Sequence, residues 1–206
     1  MTSHGARIDV VTGAANTWII GDDDEVIVID PAGQVEPVLA AVGEREIIAV
    51  ICTHGHAGHV AGAVAIASRD AAPTGLHPLD RRDWRDLHAE DPDIAMEDGG
   101  KFEAGGVTLE VVHAPGHSRG SVLLYCEELD AAFTGDVVTK TGPVARADGF
   151  PDWGRQIDAI GAAVLTLPLQ TRLLPGHGPE FTVELADKSF NSWVSAGPDL
   201  PDATVR

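Results

Sequence analysis

Cysteine is nearly absent from this chain: two in 206 residues, Cys52 and Cys126. Each closes an apolar run, Ile47–Ile51 and Val122–Tyr125, which reads as a buried strand thiol rather than half of a disulfide. A chain of this length buries roughly 70% of its unfolded surface, so no covalent framework is required. No stretch approaches the roughly 18 apolar residues of a membrane span, and the opening Met1–Arg7 holds no apolar segment of an export signal. The expectation is a soluble, cytoplasmic protein without a membrane partner. Lysine is equally scarce, with only Lys101, Lys140 and Lys188, and the net charge is −18. Such a charge repels phosphate backbones, which excludes nucleic acid as the main partner and leaves a small-molecule substrate. The acidic excess itself reads as a solvated surface. Repeats, low-complexity tracts and long linkers are lacking too, so residues 1–206 read as a single domain.

What is present is a regular alternation of short apolar strands and helical stripes. Ile8–Val11, Asn16–Ile20 and Val26–Asp30 read as strands separated by Gly-Ala-Ala and Gly-Asp-Asp-Asp turns. Val35–Val42 reads as a helix ended by Gly43, and Ile47–Cys52 as a strand buried on both faces. A helical stripe follows through Val60, Ala63, Val64 and Ala67. Further on, Thr74–His77 is a short strand, Leu79–His88 a polar helix and Glu90–Gly100 an acidic loop. Strands then fall at Val107–His113, Val122–Cys126 and Ala131–Thr134. Ile157, Ile160, Val164 and Leu167 mark another helix, Arg172–Leu174 a last strand, and Val183–Val194 a closing amphipathic helix. Periodicity alone supports an α/β or α+β fold.

The sharpest local signal is Thr53-His54-Gly55-His56-Ala57-Gly58-His59, directly after the buried strand. In extended backbone the side-chain period is two, so His54 and His56 project from the same side and can reach one ion. His59 falls at the start of the next helix, displaced toward a neighbouring position. Three more strand ends deliver ligand-type residues: His117 in Ala-Pro-Gly-His-Ser, Asp136 in Phe-Thr-Gly-Asp, and His177 in Leu-Pro-Gly-His-Gly-Pro. Strand ends of an α/β framework share a rim, so these loops can converge. Imidazole and carboxylate are ordinary ligands for zinc.

In this order, H-x-H-x-x-H, P-G-H-S, F-T-G-D and L-P-G-H-G-P, together with Asn16-Thr17-Trp18 and Val28-Ile29-Asp30-Pro31, the chain resembles the metallo-β-lactamase superfamily over about residues 8–182. The block Phe133–Pro179 is most similar to glyoxalase II-like sequences. The resemblance implies a four-layer αββα sandwich. It also implies a first metal site of His54, His56 and His117, a bridging Asp136, and a second site completed by His59 and His177. Catalysis would rest on Asp136, His54, His56 and His117, with metal-bound hydroxide attacking a small activated acyl group. A thioester of a low-molecular-weight thiol is the expected substrate. The other readings are a lactonase, an iron-dependent persulfide dioxygenase-like oxidoreductase, and a catalytically weak binding member.

One position departs from the family pattern. Where relatives carry an aspartate between the second and third histidines, this chain has Gly58. The expectation is one firmly bound zinc and a weakened second site; iron suits the same donors. Larger glyoxalase II enzymes add a helical domain that grips glutathione, whereas this chain runs 29 residues past His177. Lys140, Arg146 and Arg155 are candidate contacts for substrate carboxylates, and Trp153 a candidate pocket neighbour. His113 is placed beside the pocket, while His77 and His88 read as surface or structural residues. Trp18, Trp84 and Trp193 read as core or rim.

Overall fold

Strands that are apolar on both faces need cover on both, and the arrangement found in a computed structural model, which describes residues 5–144 and 152–199, supplies it. The first half builds a sheet of order β1-β2-β3-β4-β5-β6. Its strands are β1 (Arg7–Val11), β2 (Thr17–Gly21), β3 (Glu25–Ile29), β4 (Glu46–Ile51), β5 (Thr74–Leu76) and β6 (Ile94–Ala95). The first three pair antiparallel and β3 to β6 run parallel. Helices α1 (Val35–Val42), α2 (Ala57–Val60), α3 (Ala63–Ala67) and α4 (Arg81–Arg85) occupy the connections.

The second half repeats the plan with a sheet of order β12-β11-β10-β9-β8-β7. It comprises β7 (Lys101–Ala104), β8 (Val107–His113), β9 (Val122–Cys126), β10 (Ala131–Gly135), β11 (Arg172–Pro175) and β12 (Phe181–Thr182), with α5 (Trp153–Ala159) and α6 (Val183–Ala196). β7 to β10 are antiparallel neighbours, while β10 and β11 run parallel.

Alternation along each strand assigns the layers. Ile20, Ile27, Ile29 and Ile51 face the other sheet and meet Leu109, Val111, Leu124, Phe133 and Leu174. The intervening Ile19, Val26, Val28 and Val50 face outward onto Val38 and Val42 of α1 and Ile66 of α3. On the far side Leu123, Ala132 and Leu173 pack against Ile160, Val164 and Trp193. The result is helix, sheet, sheet, helix: the expected αββα sandwich. Each fully buried Ile, Leu or Phe in these three clusters contributes roughly 1.5–3 kcal/mol. Trp18 and Phe133 meet edge to face across the central layer at 6.1 Å. Both cysteines are buried and free, as expected.

Three local readings are corrected. The stripe Val60–Ala67 is not one helix: at Gly62 the backbone N–H turns to Pro31 O at 2.8 Å, splitting α2 from α3. The polar helix at Leu79–His88 shortens to a 3-10 turn, Pro78–Asp80, followed by α4. The acidic loop contains the short β6, and β7 precedes the Gly105-Gly106 turn, whose φ values of 55° and 74° make the hairpin to β8. A Gly-Gly pair between alternating residues is the signal that would have revealed β7. Among the described residues, no helix is long and apolar enough to cross a membrane.

Candidate metal centre

The carboxyl ends of β3, β4, β8, β10 and β11 open into loops that carry Asp30, His54 with His56, His117, Asp136 and His177 respectively. β8 and β10 both run antiparallel to β9 between them, so their ends share a rim. At that rim the ligand atoms of His54, His56 and His117 lie within 4.8 Å of one another, and so do those of His59, Asp136 and His177. His117 Nε2 is 3.0 Å from His56 Nδ1. Asp136 ties the two groups together. Its Oδ2 is 3.4 Å from His59 Nε2, 3.6 Å from His117 Nε2 and 4.0 Å from His54 Nε2, and its Oδ1 is 2.8 Å from His177 Nδ1. All six residues singled out in the sequence are therefore brought together.

Hydrogen bonds on the outer side of the rings decide which nitrogen each presents. His117 Nδ1 faces Val144 O at 2.9 Å, and a carbonyl only accepts, so Nδ1 carries the proton and Nε2 presents a lone pair. The same logic runs through Thr53. Its hydroxyl donates to Asp30 Oδ2 at 2.7 Å, so its oxygen is left to accept from His54 Nδ1 at 3.1 Å. His54 Nε2 is then an acceptor, buried and without a hydrogen-bond partner, and His59 Nε2 is likewise buried and unpartnered. Leaving such atoms unsatisfied costs roughly 1–3 kcal/mol each. Imidazole nitrogens without hydrogen-bond partners, facing a buried carboxylate from each of the two groups, fit divalent cations, one at each group.

Burial lowers the His59 pKa, but the carboxylates of Asp136 and Asp30 outweigh it and push the ring up to about 10. Burial raises Asp136, yet His59 and His177 hold it well below the usual carboxylate range. His54 is driven well below 6.5 by burial and then by the neighbouring His59 and His117. Without metal, His59 is thus an imidazolium between two carboxylates and His54 is neutral. The raised His59 pKa stabilises metal-free protein fully below pH 6.5, and this contribution is lost as pH rises toward 10. Metal requires the deprotonated ring. Filling the His59 position at pH 7–9 should therefore release about one proton, and affinity should climb about tenfold per pH unit in this window. Calorimetric titration of metal-stripped protein in buffers of different ionisation enthalpy measures it; a buffer-independent heat for that ion would contradict the assignment.

Several supports were not identified as functional from the sequence. Asp30 is fully buried, at a φ of 53°, and accepts from Thr53 N at 2.7 Å while its Oδ2 faces His59 Nδ1 at 3.1 Å. Asp80 pins two loops at once by accepting from Gly55 N, Ser118 Oγ and Gly120 N at 2.6–2.9 Å. Asn16 Nδ2 holds Pro175 O and Gly178 O around His177, and Gln156 Nε2 holds Val137 O beside Asp136. An acidic residue ending an apolar strand run is a usable signal for Asp30, since Asp136 shows the same pattern. Asp80 offers no such signal. Gly176 is dictated by close approach: a Cβ there would sit 2.5 Å from His59 Cε1 and 2.6 Å from Asp136 Oδ1. Gly58 is the opposite case, because a Cβ at that position meets nothing within 4 Å.

The remaining candidates separate. Lys140 lines a cavity of about 350 Å³ beside His177. Trp153 opens α5 half-buried and is not among the described residues lining that cavity. Arg155 is ion-paired with Asp152 at 3.4 Å. Arg146 lies outside the described residues. His113 stacks on His77 at 4.3 Å, and His88 bonds Val60 O at 2.9 Å, both in the bracing of the loops. A larger hollow of about 700 Å³ beside Trp84 and Leu87 includes none of the six clustered residues.

Comparison with known proteins agrees with the geometry. The description of the Metallo-beta-lactamase superfamily matches residues 10–177. A probable metallo-hydrolase of Bacillus subtilis (strain 168), YqgX, is 29% identical over 92% of this chain and 96% of its own length. The hydroxyacylglutathione hydrolase GloC of Haemophilus influenzae is 26% identical over 85% of this chain and 91% of its own. Among solved structures, the BLEG-1 B3 metallo-beta-lactamase superposes with a TM-score of 0.80 at 23% identity, covering 88% of this chain and 97% of that one. TTHA1623, in a di-iron-bound form, gives 0.72 at 26% identity over 88% and 97%.

Proposed function

Since the chain belongs to the metallo-beta-lactamase superfamily, we propose that it is a metal-dependent hydrolase of small activated acyl compounds, acting on a thioester of a low-molecular-weight thiol. The observation that carries this reading is the gathering of His54 Nε2 and His59 Nε2, both buried and without a geometric hydrogen bond, around the Asp136 carboxylate at 4.0 and 3.4 Å. His54, His56 and His117 would hold one divalent ion, His59 and His177 a second, with Asp136 between them. When bound, such an ion supplies Lewis acidity toward a carbonyl and water of lowered pKa.

The chain's own residues supply the rest. Asp136, kept anionic at neutral pH, offsets the positive charge gathered at the rim. The Asp30–Thr53–His54 relay and the Val144 carbonyl fix ring orientation, so the inward nitrogens need no reorganisation when substrate arrives. Support for a thioester comes from the similarity to the Haemophilus influenzae hydroxyacylglutathione hydrolase. The −18 charge opposes a nucleic-acid substrate.

The deciding experiment is a hydrolysis screen of thioesters, lactones and β-lactams, with metal-stripped protein reconstituted by zinc or iron. Metal-dependent turnover that is highest on thioesters supports the reading; turnover confined to lactones or β-lactams overturns the thioester assignment. Iron is included because TTHA1623, to which the chain is similar, was solved in a di-iron-bound form and imidazole and carboxylate donors suit iron as well as zinc. Asp30→Asn, which removes the charge behind His59, is expected to weaken metal binding at the His59 position about tenfold. A chelator competition, run beside thermal unfolding to separate folding from binding, measures it.

A further inference from the structure

Two large apolar side chains on the outer face of the first sheet are left exposed. Val64 of α3 is 43% exposed, and Leu87, just past α4, is 48% exposed. Single exposed side chains are ordinary, but these two line one hollow of about 700 Å³. Ala67, Ala71, Ala72 and the buried Trp84 line it as well. That size and that lining suit a small organic molecule. The walls are already tied in place. On one side Ala72 N donates to Ala67 O at 3.0 Å, closing the turn after α3. On the other, Trp84 Nε1 donates to Glu90 O at 2.8 Å and His88 Nε2 to Val60 O at 2.9 Å. Asp93 joins the two, its Oδ2 accepting from Thr74 N and Oγ1 at 2.8 and 2.9 Å. A hollow braced in this way loses little freedom when it is filled.

One wall residue is held against its preference. Ala71 stands at a φ of 54°, the left-handed region that Gly or Asn usually takes. The strain brings no core packing, since Ala71 is exposed, and it leaves a methyl group where glycine would leave none. Charge then narrows the guest. Glu90, Asp91 and Asp93 also line the hollow. Asp91 is answered by Arg85 through two hydrogen bonds of 2.7 Å. The Thr74 N–H and hydroxyl hold Asp93 below the usual carboxylate range, so it is ionised at neutral pH. Both of those bonds end on Oδ2. The attraction left for a guest therefore comes from Glu90 and Asp93. In a chain of net charge −18 these groups repel anions and a second copy of the chain, and draw cations.

We propose that this hollow is a binding site for a small organic cation with an apolar body. The body lies against Val64, Ala71 and Leu87, and the charge points toward Glu90 and Asp93. The site includes none of the six residues of the metal rim, so it stands or falls apart from the hydrolase reading.

The test uses benzyltrimethylammonium on zinc-loaded protein, because a quaternary nitrogen has no lone pair to offer the metal. Tetramethylammonium keeps the charge without the body, and benzyl alcohol keeps the body without the charge. By calorimetry at low salt the full probe should bind about tenfold more tightly than either, its lead over benzyl alcohol shrinking at high salt. Val64→Lys, a change at an exposed position, should abolish that lead, and Glu90→Gln should reduce it about threefold. Ala71→Gly should weaken the probe about twofold without lowering the unfolding temperature, because glycine relieves the backbone while removing a wall methyl. Thermal unfolding of each variant separates a lost site from a lost fold. Tetramethylammonium binding as tightly as the full probe would mean unselective surface charge and would overturn the proposal, as would a lead that survives Val64→Lys. Two other occupants would also overturn it. One is a second copy of the chain, seen as a dimer in sedimentation that Val64→Lys dissolves. The other is a macromolecular partner, seen as a basic amphipathic peptide that binds more tightly than the probe.

Discussion

Asp136→Asn is expected to lower metal-dependent hydrolysis at least a thousandfold, on the order of 4 kcal/mol of transition-state stabilisation, and to strip the protein of most of its metal. The substitution preserves shape and removes one charge. That charge faces His54, His59, His117 and His177 within 2.8–4.0 Å, in a nearly fully buried setting. Among the described residues, Asp30 lies behind His59 on the Nδ1 side, and Asp83 stands 4.0 Å from His56 Nε2. Among the described residues, the His59–Asp136–His177 group holds no second carboxylate to replace it. The His59 ring loses its strongest reason to be charged, since Asp136 precedes Asp30 among the groups that raise it. Metal content by elemental analysis and turnover on the best thioester are the two measurements. A variant that keeps both its metal and more than a tenth of its rate would place the catalytic charge elsewhere.

The second large effect concerns Gly58, where the sequence departs from the pattern of the family it resembles. Gly58→Asp should tighten the second divalent ion about a hundredfold, the size of effect seen when one metal-directed group is added or removed. Three facts favour it. The added Cβ meets nothing within 4 Å, so the backbone need not move. Gly58 lies one residue before His59 in α2, next to the group it would assist. The His59, Asp136 and His177 set contains a single carboxylate, so a further anion adds attraction where charge is scarcest. The expected result is a rise from about one to two zinc ions per chain at limiting metal, as the three-histidine site already matches a tetrahedral set with Asp136. Two tightly held ions in the unaltered protein would reject this account, because the second site would then need no help.

The metal-binding side chains were legible because their chemistry is written in short strings at strand ends. Thr53–His59, Pro115–Ser118, Phe133–Asp136 and Leu174–Pro179 each pair a ligand-type residue with the glycine or proline that turns the chain. Asp80 was illegible for a physical reason. Its role is to accept three hydrogen bonds from loops 25, 38 and 40 residues away, and nothing adjacent in the sequence marks it. Helix ends failed for a similar reason. The stripe through Val60 and Ala67 is continuous in hydropathy, but the break at Gly62 is made by Pro31, a distant partner.

By itself the sequence determined which residue types can hold a cation, the order in which strand ends deliver them, and the charge that disfavours polyanionic partners. It also determined that β2, β3 and β4 must be covered twice, since Ile19 and Ile20, or Val28 and Ile29, are apolar in succession. Only the tertiary structure decided which of those faces meets the other sheet, because a strand apolar on both sides carries no periodic mark of orientation. It alone decided the tautomers of His54 and His117, through Asp30, Thr53 and the Val144 carbonyl. And it alone set Lys140 beside His177 in one hollow, since a cavity is made by loops that meet in space and not along the chain.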